Sequence, residues 1–155
     1  MSDDVLSVIP TDPRWQPGRD AAERAAALVA SLEPGDPDGA DVEIEVSRYD
    51  TVMPVDCGGN LAAIGCPLCG GSVDTRWWAD LLEAHADEGF ETLAVDVPCC
   101  GGATSLDALR HDWPCGFARF EIAVWNPARD WFGAHELAAL GEALGHPVRQ
   151  IRARV

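Results

Sequence analysis

The apolar positions of the chain follow two spacings, one typical of β-strands and the other of α-helices. Every second residue is apolar in 42–46 and in 117–125, which predicts half-buried strands, the first with Glu43 and Glu45 facing water. Glycine and proline punctuate the sequence between these runs and predict where the strands end. Shorter predicted strands cover residues 5–9, 51–55, 61–64, 90–97 and 148–155.

Apolar residues three or four positions apart predict three helices. Asp20 is the predicted N-cap of the first helix, with Glu23 as its capping-box partner. We expect the second helix to run from Asp74 to Gly89 and the third to close at Gly145, with a short helix near residues 104–109. The predicted buried faces contain Ala22, Ala25, Val29 and Leu32 in the first helix, Trp78, Leu81, Leu82 and His85 in the second, and Leu137, Leu140 and Leu144 in the third.

Strands and helices therefore alternate, with two consecutive strands in places. This order predicts an α+β protein built as a two-layer α/β sandwich. A ferredoxin-like βαββαβ arrangement fits it best. The length of 155 residues favours a single domain over 1–155.

The charge of the chain narrows the classes of partner. It has 26 acidic residues against 11 basic ones, all of them Arg, and a formal net charge of -15. Such a surface repels phosphate, which argues against nucleic acids and anionic membranes as partners. It favours a protein partner with a basic surface. The N-terminal residues do not form a signal peptide, so we expect a cytoplasmic protein.

Two short segments concentrate cysteines beside prolines and glycines. Cys66 and Cys69 lie in C-P-L-C-G-G, and Cys99 and Cys100 lie in P-C-C-G-G. A two-residue spacer lets two thiolates reach one ion, and the glycines allow the backbone to turn beneath them. A reducing compartment favours metal binding over disulfides for clustered cysteines. These four residues are the predicted ligands of a structural Zn²⁺.

The first segment resembles the knuckle of zinc-ribbon proteins, and the resemblance implies an embedded zinc-knuckle site in a module at about 57–102. The second segment departs from that pattern, because its cysteines are adjacent instead of being two residues apart. Both neighbours can ligate the ion, or another residue can complete its shell. Possible substitute ligands are Cys57, His111 and Cys115, and possible second-shell groups are Asp56 and Asp96.

The residues that carry chemistry elsewhere do not form a catalytic motif. A thioredoxin-like site would place its second cysteine in a helix, whereas Cys69 is followed by two glycines and the helix begins only near Asp74. We therefore expect a non-catalytic, zinc-stabilised protein-binding domain, possible forms being an inhibitor or an immunity protein. The alternative is a small metallo-enzyme or thiol-redox protein that uses the cysteines.

Two groups of residues are candidates for contact with a partner. Acidic side chains are concentrated in the N-terminal part of the chain, and three tryptophans lie in segments rich in proline and other loop residues, where aromatic side chains can anchor a partner. The acidic candidates are Asp36, Asp38, Asp41, Glu43 and Glu45, and the aromatic ones are Trp15, Trp113 and Trp131.

Overall fold

The computed structural model describes residues 3–35, 39, 41–55 and 61–154. The three helices are α1 (Arg19–Leu32), α2 (Thr75–Ala84) and α3 (Ala134–Leu144). Four long strands and five short ones are described, together with a 3₁₀ turn at Leu106–Ala108. The strands are β1 (Asp4–Pro10), β2 (Glu43–Val55), β3 (Ile64–Gly65), β4 (Ser72–Val73), β5 (Ala94–Asp96), β6 (Ala103–Ser105), β7 (Arg110–His111), β8 (Gly116–Trp125) and β9 (Val148–Arg154).

The long strands form one antiparallel sheet in the order β2-β8-β1-β9. Helix α1 connects β1 to β2, and α3 connects β8 to β9. Each helix therefore joins two strands that are separated in the sheet by one other strand. The prediction of an α+β protein is confirmed.

One face of this sheet packs against α1 and α3. Phe120, Ile122 and Val124 of β8 point to this side, as their alternation predicted, and each is fully buried. The helices contribute Ala22, Ala25 and Val29 from α1 and Leu140 and Leu144 from α3. This packing removes the apolar stripe of each helix from water, which is the main source of its stability.

The opposite face is covered over one part only. Residues 61–115 lie between β2 and β8 in the chain and contain α2 and the short strands. Their apolar side chains pack with Ile9, Phe117 and Ile151 of the sheet in a second buried cluster. The rest of this face, around Ser7 and Ala123, lines an open groove.

The structure corrects two strand predictions. The expected strands at 42–46 and 51–55 are one strand, β2, which pairs with β8 on both sides of an irregularity between Arg48 and Met53. Val46 was expected inside the protein but is 42% exposed on this edge strand. The predicted strand over 90–97 is limited to Ala94–Asp96.

Helix ends were predicted with mixed success. Asp74 caps α2 as expected, since its carboxylate accepts a hydrogen bond of 2.8 Å from the Arg76 N–H. However, α2 ends at Ala84 and not at Gly89, and the N-cap of α1 is Gly18, so Asp20 lies in the first helical turn. The short helix after residue 104 is the 3₁₀ turn, whereas α3 closes at Gly145 as predicted.

Candidate metal centre

The four predicted ligands lie together. The sulfurs of Cys66, Cys69, Cys99 and Cys100 are all within 4.8 Å of one another, and those of Cys69 and Cys99 are 3.6 Å apart. A tetrahedral Zn²⁺ with Zn–S bonds of about 2.3 Å requires neighbouring sulfurs roughly 3.8 Å apart. The group is therefore compact enough to hold one metal ion.

The first pair lies in the tight turn that joins β3 to β4. The Cys66 N–H donates to the Gly71 carbonyl at 2.8 Å, and the Gly70 N–H donates back to the Cys66 carbonyl at 3.0 Å. Gly70 has a φ of 73°, a left-handed conformation that glycine adopts without steric cost. This turn directs the sulfurs of Cys66 and Cys69 to the same side.

The second pair lies in a turn with the same hydrogen bonds, between β5 and β6. The Val97 N–H donates to the Gly102 carbonyl at 3.0 Å, and the Gly101 N–H donates to the Val97 carbonyl at 2.8 Å. Gly101 has a φ of 72°. By this correspondence Val97 matches Cys66, Cys100 matches Cys69, and Cys99 matches the exposed Leu68.

Backbone N–H groups point at the sulfurs of the first turn. Leu68 N–H donates to the Cys66 sulfur, and Gly71 N–H donates to the Cys69 sulfur, both at 3.4 Å. Such hydrogen bonds favour the thiolate over the thiol. They also orient the sulfurs as groups around a metal ligand usually do.

The thiols differ in their readiness to ionise. Backbone hydrogen bonds, first from Cys69 and then from Leu68, lower the pKa of Cys66 to about 7 in spite of its burial. Burial of its sulfur and the neighbouring Cys69 and Cys66 raise the pKa of Cys99 to about 12, although much of that residue is exposed. At Cys100 the Gly102 backbone hydrogen bond lowers the pKa, but burial and the neighbouring thiols outweigh it and the net shift is upward.

These pKa shifts indicate how many of the four thiols can ionise together without a metal ion. Backbone N–H groups stabilise one thiolate. Its negative charge then disfavours the ionisation of each further thiol. A bound divalent cation removes that opposition and allows all four sulfurs to ionise. The donor set therefore fits a metal ion better than it fits four thiols.

Two of the three possible substitute ligands, Cys115 and His111, lie outside this group. Cys115 is buried in the apolar cluster that contains Ile9 and Phe117. His111 lies in β7, with its ring centroid 4.7 Å from that of Trp78 and its Nε2 buried without a hydrogen-bond partner in the described part of the chain. Cys57 is not among the described residues.

The two proposed second-shell carboxylates are not seen to orient a ligand. Asp96 is exposed at the end of β5, one residue before Val97. Its side chain makes no hydrogen bond or ion pair to any described residue, and Asp56 lies outside that part of the chain. Their role remains a prediction.

The candidate partner residues fall into two kinds. Asp41, Glu43 and Glu45 are exposed, while Asp36 and Asp38 are outside the described ranges. The tryptophans are more enclosed. Trp15 stacks on His146 at 4.5 Å, and Trp113 donates its indole N–H to the Arg152 carbonyl at 2.6 Å while packing against Trp131, which is 37% exposed.

Sequence reasoning missed a polar group on the open part of the sheet. The Glu121 carboxylate accepts hydrogen bonds from the hydroxyls of Ser7, at 2.6 Å, and Tyr49, at 3.1 Å. The only signal in the sequence was a carboxylate on the outward side of an apolar strand. The two hydroxyls come from other strands, so the sequence pattern did not reveal them.

Comparison of the chain with models of protein families, with curated proteins and with solved structures finds no match. Over the described ranges, none of the helices has the length and apolar character needed to cross a bilayer. The site is therefore interpreted from its own geometry.

Proposed function

We propose that this chain is a non-catalytic, zinc-stabilised domain that binds a basic protein through its acidic surface. The observation that carries the proposal is the group of four thiols within 4.8 Å, presented by two turns with matching hydrogen bonds. Sulfur donors in a compact group favour Zn²⁺ among common cellular metals. An ion with four protein ligands has no open position for a substrate or a reactive water, which favours a structural role.

The metal would stabilise the part of the protein whose strands are shortest. The strands flanking the thiols contain only two or three residues each. Clamping the β3–β4 turn to the β5–β6 turn also closes the intervening chain, which includes α2. The order of the four long strands and the two crossover helices supports a ferredoxin-like sandwich with an insertion over residues 61–115. This insertion contains the described part of the proposed metal-binding module at about 57–102.

Charge supports the proposed partner class. The net charge of -15 attracts a basic surface, and exposed Asp41, Glu43 and Glu45 form a short acidic segment at an edge strand. An inhibitor or immunity protein acting on a basic toxin is one form that this function can take. A cytoplasmic location would keep the thiols reduced and available to the metal.

A thiol-redox function is the alternative that one observation favours. The pKa of Cys66 is lowered to about 7, so this thiol ionises more readily than an ordinary cysteine. However, Cys66 is 0% exposed, and a redox thiol must meet its substrate at the surface. A buried thiol that ionises readily suits a metal ligand, which binds as the thiolate and need not reach the surface.

Metal analysis combined with a binding assay tests the proposal. Purified protein should contain about one zinc per chain, and X-ray absorption should show four sulfur neighbours. A variant with Asp36, Asp38, Asp41, Glu43 and Glu45 changed to their amides should retain zinc and thermal stability but capture fewer basic proteins. Capture that responds neither to this variant nor to salt would rule out electrostatic recognition by this surface.

A further inference from the structure

The part of the sheet that residues 61–115 leave uncovered forms a groove of about 310 Å³. Its floor consists of small side chains from three strands. Larger side chains from β2 and β8 line its sides. Small residues between large ones create the hollow. The floor residues are Val5, Ser7, Ala123 and Ala153, all buried, and the half-buried Tyr49 and Trp125 stand at its sides.

A carboxylate lies in this groove, and no arginine of the described residues forms an ion pair with it. Glu121 is half-buried, and no arginine nitrogen of the described chain lies within 4 Å of its oxygens. Burial and the negative charge of Glu121 raise the pKa of Tyr49. The phenol therefore stays protonated, and its O–H donates a hydrogen bond to the Glu121 carboxylate. With Ser7 and Tyr49 each donating one hydrogen bond, about two acceptor positions on Glu121 remain for a ligand.

The backbone holds the side of the groove in place. Between Arg48 and Met53, β2 contains extra residues relative to β8, and Tyr49 is the first of them. Bulges of this kind re-aim a side chain. The Gln16 side-chain amide fastens the bulge by donating to the carbonyls of Tyr49, at 3.1 Å, and Arg119, at 2.9 Å.

The chemistry of the lining selects a flat cation. Among the described residues that line the groove none is basic, and Glu45 adds a second carboxylate to Glu121. Glu121 and Trp125 line the same groove, on either side of Ala123 in β8. A carboxylate and an indole that face one hollow suit a guanidinium, which stacks on aromatic faces and donates several hydrogen bonds in one plane. The volume of about 310 Å³ leaves room for one long side chain.

We propose that this groove binds an arginine side chain of a basic partner protein. The inference rests on the proposed function, because it identifies where on the acidic surface the partner is anchored. Glu43 and Glu45 extend the negative charge from the groove to the exposed edge of β2, where further basic residues of the same partner can bind. A protein source is favoured over a free small cation by this continuity.

The test uses the full-length, zinc-loaded protein and three probes in calorimetric titrations. The probes are a blocked Gly-Gly-Arg-Gly-Arg-Gly peptide, the same peptide with citrulline for arginine, and free arginine methyl ester. Citrulline keeps the shape of arginine without the charge. The variants are Glu121→Gln and Trp125→Leu, and Glu142→Gln on the exposed side of α3 is the control with the same change in charge. Zinc content and Tm confirm that each variant is folded.

We expect the arginine peptide to bind at least about tenfold more weakly to Glu121→Gln and several-fold more weakly to Trp125→Leu, with Glu142→Gln within about twofold of wild type. The citrulline peptide should bind to the wild-type protein about tenfold more weakly than the arginine peptide. Equal binding of the two peptides, binding unaffected by Glu121→Gln, or no binding to wild type would overturn the proposal. If arginine methyl ester binds as tightly as the arginine peptide, the ligand is a small cation and a protein source is ruled out.

The result is separable from the test of the proposed function. If Glu121→Gln still captures basic proteins in a salt-dependent way, the groove is not the site that anchors the partner. The proposal that the acidic surface binds a basic protein is then unaffected. The complementary variant changes Asp36, Asp38, Asp41 and Glu43 to their amides but retains Glu45, which lines the groove. If the wild-type groove prefers arginine to citrulline and this variant captures partners normally, the wider acidic surface is not the binding surface, and the groove remains the anchor.

Discussion

Val97 occupies the same position in the second cysteine-containing turn as Cys66 occupies in the first. Each donates its N–H to the glycine carbonyl five residues later and accepts from the glycine N–H four residues later. Both are fully enclosed, with 1% and 0% of their surfaces exposed. The fourth sulfur comes instead from Cys99, at the position that Leu68 holds in the first turn. The two turns are therefore alike in backbone but not in the placement of their thiols.

This relationship predicts that one ligand can be moved within the second turn. Cys99→Ala should reduce zinc binding, and adding Val97→Cys should restore about one zinc per chain because it recreates the spacing of the first turn. Zinc content and cobalt absorption spectra of the single and double variants would measure this. Failure of the double variant to recover four-sulfur coordination would show that the Val97 position does not face the ion.

Removing a ligand should cost more than removing a buried thiol elsewhere. Cys69→Ser should abolish stoichiometric zinc and destabilise the protein by at least about 3 kcal/mol, roughly 10 °C in Tm. Cys115→Ala should also lower Tm, because Cys115 is buried in the apolar cluster, but zinc should remain. Metal analysis distinguishes the two. Loss of zinc from Cys115→Ala would assign that thiol to the site.

The left-handed glycines of the two turns provide a further prediction. A Cβ at Gly101 would contact no atom within 4 Å, so the cost of Gly101→Ala comes from its φ of 72° alone. We expect a loss of about 1–2 kcal/mol, and a smaller loss for Gly101→Asn, since asparagine tolerates this conformation better. Denaturant unfolding of the zinc-loaded proteins would rank them. If both variants lose the same free energy of unfolding, the left-handed backbone conformation of Gly101 is not the cause of the loss.

Local patterns in the sequence predicted the parts of the fold that depend on local geometry. Ala22, Ala25 and Val29 are buried at helical spacing in α1, and the alternation in β8 gave the correct inward face. The thiols were also predictable, because proline, glycine and a two-residue spacer are features of one turn. Each of these signals lies in residues that are neighbours in the chain, although the two thiol pairs themselves meet across 30 residues, from Cys69 to Cys99.

Other features that depend on distant residues were not predicted. The hydrogen bonds that hold Glu121 come from Ser7 and Tyr49, which are 114 and 72 residues away in sequence. The continuity of β2 depends on its partner β8, whose pairing resumes at Met53 after the bulge. Val46 is exposed because β2 is an edge strand and Val46 lies in an open groove beside α1. Alternation alone does not contain this information.

The response of stability to acid should depend on His111. Burial, and to a smaller extent Arg149, lowers the pKa of His111 below its usual 6.5, so the folded protein favours the neutral ring. Above pH 6.5 the His111 ring is neutral in both the folded and the unfolded protein. Below pH 6.5 the unfolded chain takes up the proton more readily than the folded protein. The free energy of unfolding therefore decreases as the pH falls, until the pH reaches the pKa of His111 in the folded protein. His111→Phe keeps an aromatic ring beside Trp78 and should flatten the decline in Tm below pH 6.5 by about 2 °C per pH unit.

Excess zinc in all samples limits the separate loss of metal in acid, which protonation of the thiolates causes. His135→Gln, at an exposed position near the start of α3, is the control and should keep the wild-type slope. Thermal unfolding between pH 5.5 and 7.5, with zinc content checked at each end, measures the three slopes. If His111→Phe loses stability in acid as steeply as wild type and His135→Gln, the buried imidazole is not the group that titrates, and protonation of the metal-binding thiolates becomes the better explanation.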